Sequence, residues 1–288
     1  MRIALAQIAP PLGDPAASLK LHLETARRAA RAGAQLVVFP ELSLTGYRLQ
    51  DLVPEVARPI DPKGFLRPLF ALSRRISIAF GLVEESEGHR YYNSAVFLEA
   101  GRVRHVHRKV YLPTYGMFEE GRYFSAGDAF TAFRSRLGRI GLLVCEDLWH
   151  PASALLLAQD GADYIVVLSN SPVQTGEGAG PRNHETWRDL IRVTAQLQTV
   201  YVLLTNRSGV EDGISFSGAS AAVDPLGRVL AEGRMLGDDL VVCDLDRKAL
   251  RRARTFYPLL RDERLPVLQR EIGRLLAAPQ ATRGPGGS

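Results

Sequence analysis

Cysteine is scarce in this chain, lysine nearly as scarce, and long apolar runs are missing. Only Cys145 and Cys243 occur in 288 residues, too few for the disulfide framework that supports small secreted domains. Apolar runs such as Tyr164–Leu168 are strand-sized, well short of the roughly 20 residues a membrane helix needs. The opening stretch MRIALAQIAP has no apolar h-region and no small-residue cleavage site, so it is expected to be a first strand rather than a leader. These absences lead to the expectation of a cytoplasmic chain, away from membranes, with both thiols reduced. No Cys-x-x-Cys, His-Glu-x-x-His, P-loop or dinucleotide fingerprint is present, so neither a metal nor a cofactor is expected.

The net charge of +5 raises the question of nucleic acid. Of 36 basic residues only Lys20, Lys63, Lys109 and Lys248 are lysines, and the arginines are spread along the chain. The densest stretch, residues 247–274, mixes its arginines with Asp262, Glu263 and Glu271. It lacks the aromatic interleaving of single-strand binders and reads as a solvated helix face or an interface. Nucleic acid is not an expected partner.

What is there alternates. Strand-like runs fall at Arg2–Gln7, Leu36–Phe39, Ile76–Val83, Ser94–Glu99, Val103–Lys109, Ile140–Val144, Tyr164–Leu168, Val200–Thr205, Ser220–Val223 and Leu240–Leu245. Consecutive β-branched and aliphatic residues mark several of them as covered on both faces. Helical patterns lie between, at Ser18–Ala32 (Ser18 as N-cap, Gly33 as stop), Pro62–Arg75, Ala152–Asp160 and Arg182–Gln198. LEAGRV and DPLGRV are hairpin turns. The pattern predicts an α/β domain over residues 1–278 with helices outside mixed sheets. The Pro/Gly-rich tail 279–288 is expected to be disordered.

Three strands end in unusual residues: Glu41 just past a proline, Lys109 among so few lysines, and Cys145 before two acids. Taken singly, these read as a cap, a surface charge and a core filler. In open α/β sheets, however, ligands bind beyond the carboxyl ends of strands. Together the three supply what acyl transfer to a thiol requires. A base takes the thiol proton, a fixed cation meets the oxyanion, and a neighbouring ammonium lowers the thiol pKa.

The stretches VFPELSLTGY, RKVYLPTYGMFEEGRYF and GLLVCEDLWHP resemble the three catalytic motifs of the nitrilase, or carbon–nitrogen hydrolase, superfamily. Within it they are most similar to the glutaminase domain of glutamine-dependent NAD synthetase, over about residues 1–250. The resemblance implies a four-layer α-β-β-α sandwich. It also implies a triad of Glu41 as general base and acid, Lys109 as oxyanion stabiliser and Cys145 as nucleophile. The Glu146 N–H would complete the oxyanion hole, and Glu120 matches a second glutamate that orients the lysine. Tyr47, Tyr115, Phe118, Glu146 and Ser171 match substrate-binding positions, with Glu146 and Tyr115 suited to an α-amino group. Arg182 is displaced by the glycine-rich stretch 174–183 from the position of a carboxylate clamp.

The resemblance therefore implies release of ammonia from a small-molecule carboxamide. No SGG-x-D-S phosphate loop follows, so a glutaminase of this kind would feed a separate ammonia-dependent synthetase. A self-sufficient small-amide amidase or N-carbamoyl amidohydrolase is the alternative, and a non-catalytic binding protein on the same fold is a third. A homo-oligomer, dimer or higher, is also implied, through helices after Cys145 and the C-terminal segment.

Overall fold

A computed structural model describes residues 1–173 and 182–278 of the chain. Residues 174–181 of the glycine-rich stretch, the tail and the side chain of Arg182 lie outside the described residues. The first half runs β1 (Arg2–Gln7), α1 (Pro15–Arg31), β2 (Leu36–Val38), α2 (Val53–Val56), α3 (Arg67–Leu72), β3 (Ser77–Glu85), β4 (Tyr91–Glu99) and β5 (Arg102–Arg108). The second half opens with α4 (Glu120–Tyr123), β6 (Phe133–Ser135), β7 (Gly138–Val144), α5 (Pro151–Gln159), β8 (Tyr164–Ser169) and α6 (Arg182–Gln198). It continues with β9 (Tyr201–Asn206), β10 (Ser208–Glu211), β11 (Ile214–Ser217), β12 (Ala221–Val223), β13 (Val229–Glu232) and β14 (Asp239–Asp244). Helices α7 (Arg247–Phe256), α8 (Leu259–Asp262) and α9 (Leu265–Ala277) follow.

Two six-stranded sheets result, ordered β14-β1-β2-β3-β4-β5 and β13-β12-β9-β8-β7-β6. Each has three parallel strands at its heart (β1-β2-β3 and β9-β8-β7) with antiparallel strands on either side. The period-two alternation of a strand sends neighbouring residues to opposite faces. Ile3 and Leu5 accordingly join Leu142, Val166 and Leu203 in a core between the sheets. Ala4 and Ala6 turn the other way, onto Ala26 and Ala29 of α1 and Leu69 of α3. On the second sheet Leu143, Ile165 and Val167 face Leu157, Trp187 and Ile191 of α5 and α6. Four layers follow, helix, sheet, sheet and helix, as the resemblance implies.

Some local expectations change. Asp14 caps α1 by accepting the Ala17 N–H at 2.9 Å, with Pro15 in the first turn. Ser18 lies inside the helix and is buried, so it is not the cap. Gly33 does end the helix, at φ +80°. The Pro62–Arg75 pattern shortens to α3, with Pro68 in its first turn. Among the described residues, no helix is long and apolar enough to cross a membrane.

Candidate active site

The carboxyl ends of two central strands, β2 and β7, and of the edge strand β5 carry the unusual residues. After β2 the chain passes over β3 to reach Glu41, and Gly81 makes the passage possible. A Cβ there would stand 2.3 Å from the Leu42 nitrogen. Glu41 is buried. Its Oε1 accepts from Asn93 Nδ2 at 2.7 Å and Lys109 Nζ at 2.8 Å, and its Oε2 from the Asn170 N–H at 3.0 Å. Lys109 lies one residue beyond β5, equally buried, and also donates to Glu120 Oε1 at 2.7 Å. Tyr47 OH reaches that same oxygen at 2.7 Å.

Cys145 follows β7 directly at φ +43°, in the left-handed region that costs a non-glycine residue roughly 1–3 kcal/mol. It opens a 3₁₀ turn, Cys145–Trp149. Ser169 Oγ donates to its sulfur at 3.5 Å. Glu41, Lys109 and Glu120 all lie close enough to shift the thiol's affinity for its proton, so the four groups share one site.

Asp147, which in the sequence is no more than a flanking acid, joins the two halves of this site. Its Oδ2 accepts from the Val144 N–H at 3.0 Å and from His107 Nε2 at 2.8 Å. Oδ1 accepts the N–H groups of Val110 and Tyr111, just past Lys109, at 3.0 and 3.1 Å. One buried carboxylate thus ties the thiol turn to the lysine strand. Leaving a buried hydrogen-bond donor unpaired costs about 1–3 kcal/mol, and Asp147 serves four such donors. Asp147→Ala is therefore expected to lower the melting temperature by roughly 10 °C in a circular-dichroism melt, and an unchanged midpoint would contradict this role.

At the rim, Phe118 packs edge-on against both Tyr47 and Tyr115, with ring centroids 6.4 and 5.7 Å apart. Tyr115 OH donates to both Glu146 oxygens, at 3.0 and 2.9 Å. Burial and that contact push the tyrosine's pKa up to about 12. Ser171 is buried; its N–H donates to Asn206 Oδ1 at 2.8 Å, and its hydroxyl accepts Asn183 Nδ2 at 2.7 Å. Asn93 and Asn170, which hold Glu41 from both sides, are not among the residues the sequence singles out. Only their places near strand ends could draw notice.

Electrostatics correct one expectation. Burial pushes the Cys145 thiol well up, and Glu41 adds to the rise. Lys109 pulls the other way but is outweighed, so the resting group is a neutral thiol rather than a thiolate. Burial also works against the charge on Lys109, yet Glu120 and Glu41 together hold its pKa well above that of a free lysine. Burial lifts the Glu120 carboxyl to about 7 against the pull of Lys109, and Glu41 adds to the lift. A neutral thiol, a fixed ammonium and a buried carboxylate are equipped for acyl transfer in which the proton leaves sulfur during attack.

The fold and this set of groups mark a hydrolase, not merely a binding module. Residues 2–255 match the carbon-nitrogen hydrolase family, and the chain belongs to it. It is 30% identical to the glutamine-dependent NAD(+) synthetase of Thermotoga maritima, covering 96% of this chain and 48% of that protein. It thus spans about half the length of the synthetases it matches. It is 35% identical to an (R)-stereoselective amidase of Pseudomonas sp., with 92% of each chain covered. Among solved structures, the amidase from Nesterenkonia sp. AN1, whose active-site cysteine adds acrylamide in an E41Q mutant, is similar at a TM-score of 0.77. That likeness is 25% identical and covers 94% of this chain and 99% of that one. The protein is an enzyme of the carbon-nitrogen hydrolase family, with amidases among its relatives.

Proposed function

We propose that the protein is a thiol amidohydrolase that releases ammonia from a primary carboxamide, with glutamine as first substrate. One observation carries the reading: a single buried ammonium, Lys109, held at 2.8 and 2.7 Å by Glu41 and Glu120 beside the Cys145 thiol. In the first half-reaction Cys145 Sγ bonds to the amide carbon while its proton passes to Glu41. The resulting oxyanion faces Lys109 Nζ and the Glu146 N–H. Collapse breaks the C–N bond, Glu41 returns the proton to nitrogen, and ammonia leaves a thioester. Water then adds to the thioester, giving its proton to Glu41, and the carboxylic acid departs as sulfur regains a proton. Glu120 holds the lysine throughout.

For glutamine, Glu146 and Tyr115 would take the α-amino group, while Tyr47, Phe118 and Ser171 would shape the pocket. The ammonia would serve a separate ammonia-using synthetase. A self-sufficient amidase is the second reading, favoured by the Pseudomonas amidase that matches over 92% of both chains. Assembly into a homo-oligomer is supported by α9, which has no buried residue and exposes Leu265, Ile272, Leu275 and Leu276. The test is steady-state ammonia release over glutamine, asparagine, ω-amides and N-carbamoyl compounds, with and without an ammonia-dependent NAD synthetase. Slow glutamine turnover that rises with the synthetase is expected. Fast, partner-independent turnover of another amide would install the second reading instead.

A further inference from the structure

Behind the aromatic rim lies a second buried ion pair, formed by Arg207 just before β10 and Glu211 at its end. Both side chains are 2% exposed. Taking such charges out of water costs several kcal/mol per ion unless further bonds compensate, and each member has such bonds. Arg207 binds Glu211 Oε2 through Nη1 and the Pro10 carbonyl through Nη2 at 3.0 Å, and its guanidinium carbon stands 4.8 Å from the Phe216 ring centroid. Glu211 turns its other oxygen away from the arginine. Oε1 accepts the main-chain N–H groups of Tyr47 and Arg48, at 2.9 and 2.8 Å.

The loop is moulded on this carboxylate. Gly46 has φ +82°, and a Cβ there would stand 2.9 Å from Glu211 Oε2. One residue later the Tyr47 hydroxyl meets the Glu120 oxygen that also takes the Lys109 ammonium. A short line of contacts thus runs from the β10–β11 hairpin to the oxyanion cation.

We propose that Glu211, held by Arg207, is a positioning residue: it fixes the main chain at Tyr47 and, through the tyrosine hydroxyl, the Glu120–Lys109 pair. The proposal rests on the role given to Lys109 above. Its rival is a pair that merely fastens the hairpin to the loop. Replacing a buried ion pair by apolar residues of similar volume is often tolerated, but here it also unpairs the Tyr47 and Arg48 N–H groups, so the melting temperature is read beside turnover.

The experiment compares wild type, Tyr47→Phe, the double variant Arg207→Met/Glu211→Met, and all three changes together. Ammonia release from the best amide of the screen is normalised to Cys145 sites titrated with iodoacetamide. A displacement near 1 Å at a catalytic group can cost about 10²-fold, so kcat is expected to fall roughly 10- to 100-fold in the Met/Met variant, with KM changing less. Tyr47→Phe should fall similarly, and the triple variant no further than the worse of the two. The pH profile adds a readout that fastening alone would not move. The Tyr47 hydroxyl favours ionised Glu120, so the acidic limb of kcat should shift upward equally in both variants. Glu211→Asp keeps the pairing but draws the carboxylate back by one methylene; it serves if Met/Met does not fold, and must show the same non-additivity. Additive losses, or wild-type kcat in Met/Met, would overturn the proposal. A wild type that hydrolyses no amide and leaves Cys145 unlabelled would reject the underlying reading instead.

Discussion

Cys145→Ala is expected to release no ammonia from any amide that wild type hydrolyses, while keeping its fold. Sulfur is the strongest nucleophile among the groups of the site, and the hydroxyls and carboxylates beside it are weak at neutral pH. Cys145→Ser should be nearly as inactive, because an alcohol is a far weaker nucleophile and its proton is harder to remove. Mass spectrometry after a thiol-directed substrate analogue should find the modification on Cys145. Cys243 points into the core between the sheets, and burial pushes its thiol up to about 11. Labelling confined to Cys243 would refute the assignment. A modest loss of stability accompanies either change: Cys145 lies at a strand exit as expected, but it also packs against two of the hydrophobic clusters.

Lys109→Ala and Glu41→Gln should each lower turnover by roughly 10² to 10⁴-fold, the range for losing an oxyanion donor or acid–base help. The losses should not multiply when combined, since both groups serve one transition state. The structure adds a reason specific to this site. Without the ammonium, Glu41 and Glu120 would be two buried carboxylates with no cation between them. Such groups take up protons rather than stay ionised together, so Lys109→Ala would also disturb the carboxyl pair around the base. Steady-state kinetics of both single variants and the double one, per titrated thiol, decide the matter. Near-wild-type turnover in either single variant is the result this site could not survive.

Much of this is legible in the amino-acid sequence itself. Strand β1 runs over the expected residues because its apolar side chains are local and continuous, and the three site-bearing strand ends are visible for the same reason. Strands β6, β10, β11 and β13 are not, being three or four residues long with partly exposed patterns. The supports of the site are hidden for a different reason. Asn93 and Asn170 meet Glu41 across 52 and 129 residues of sequence, and Tyr47 meets Glu211 across 164. Those distances close only when the layers stack. The thiol's proton affinity departs from expectation because a sequence displays neighbouring charges but not the loss of water around them.

Glu41 and Lys109, the proposed base and cation, follow strands of the first sheet, and Cys145, the proposed nucleophile, follows one of the second. Neither half of the chain holds a working set. Glu41 and Lys109 precede Cys145 in the chain, and β14, which borders β1 in the first sheet, follows all three. On the reading proposed above, activity needs both sheets seated on one another, so ammonia release would double as a report on the seam between them.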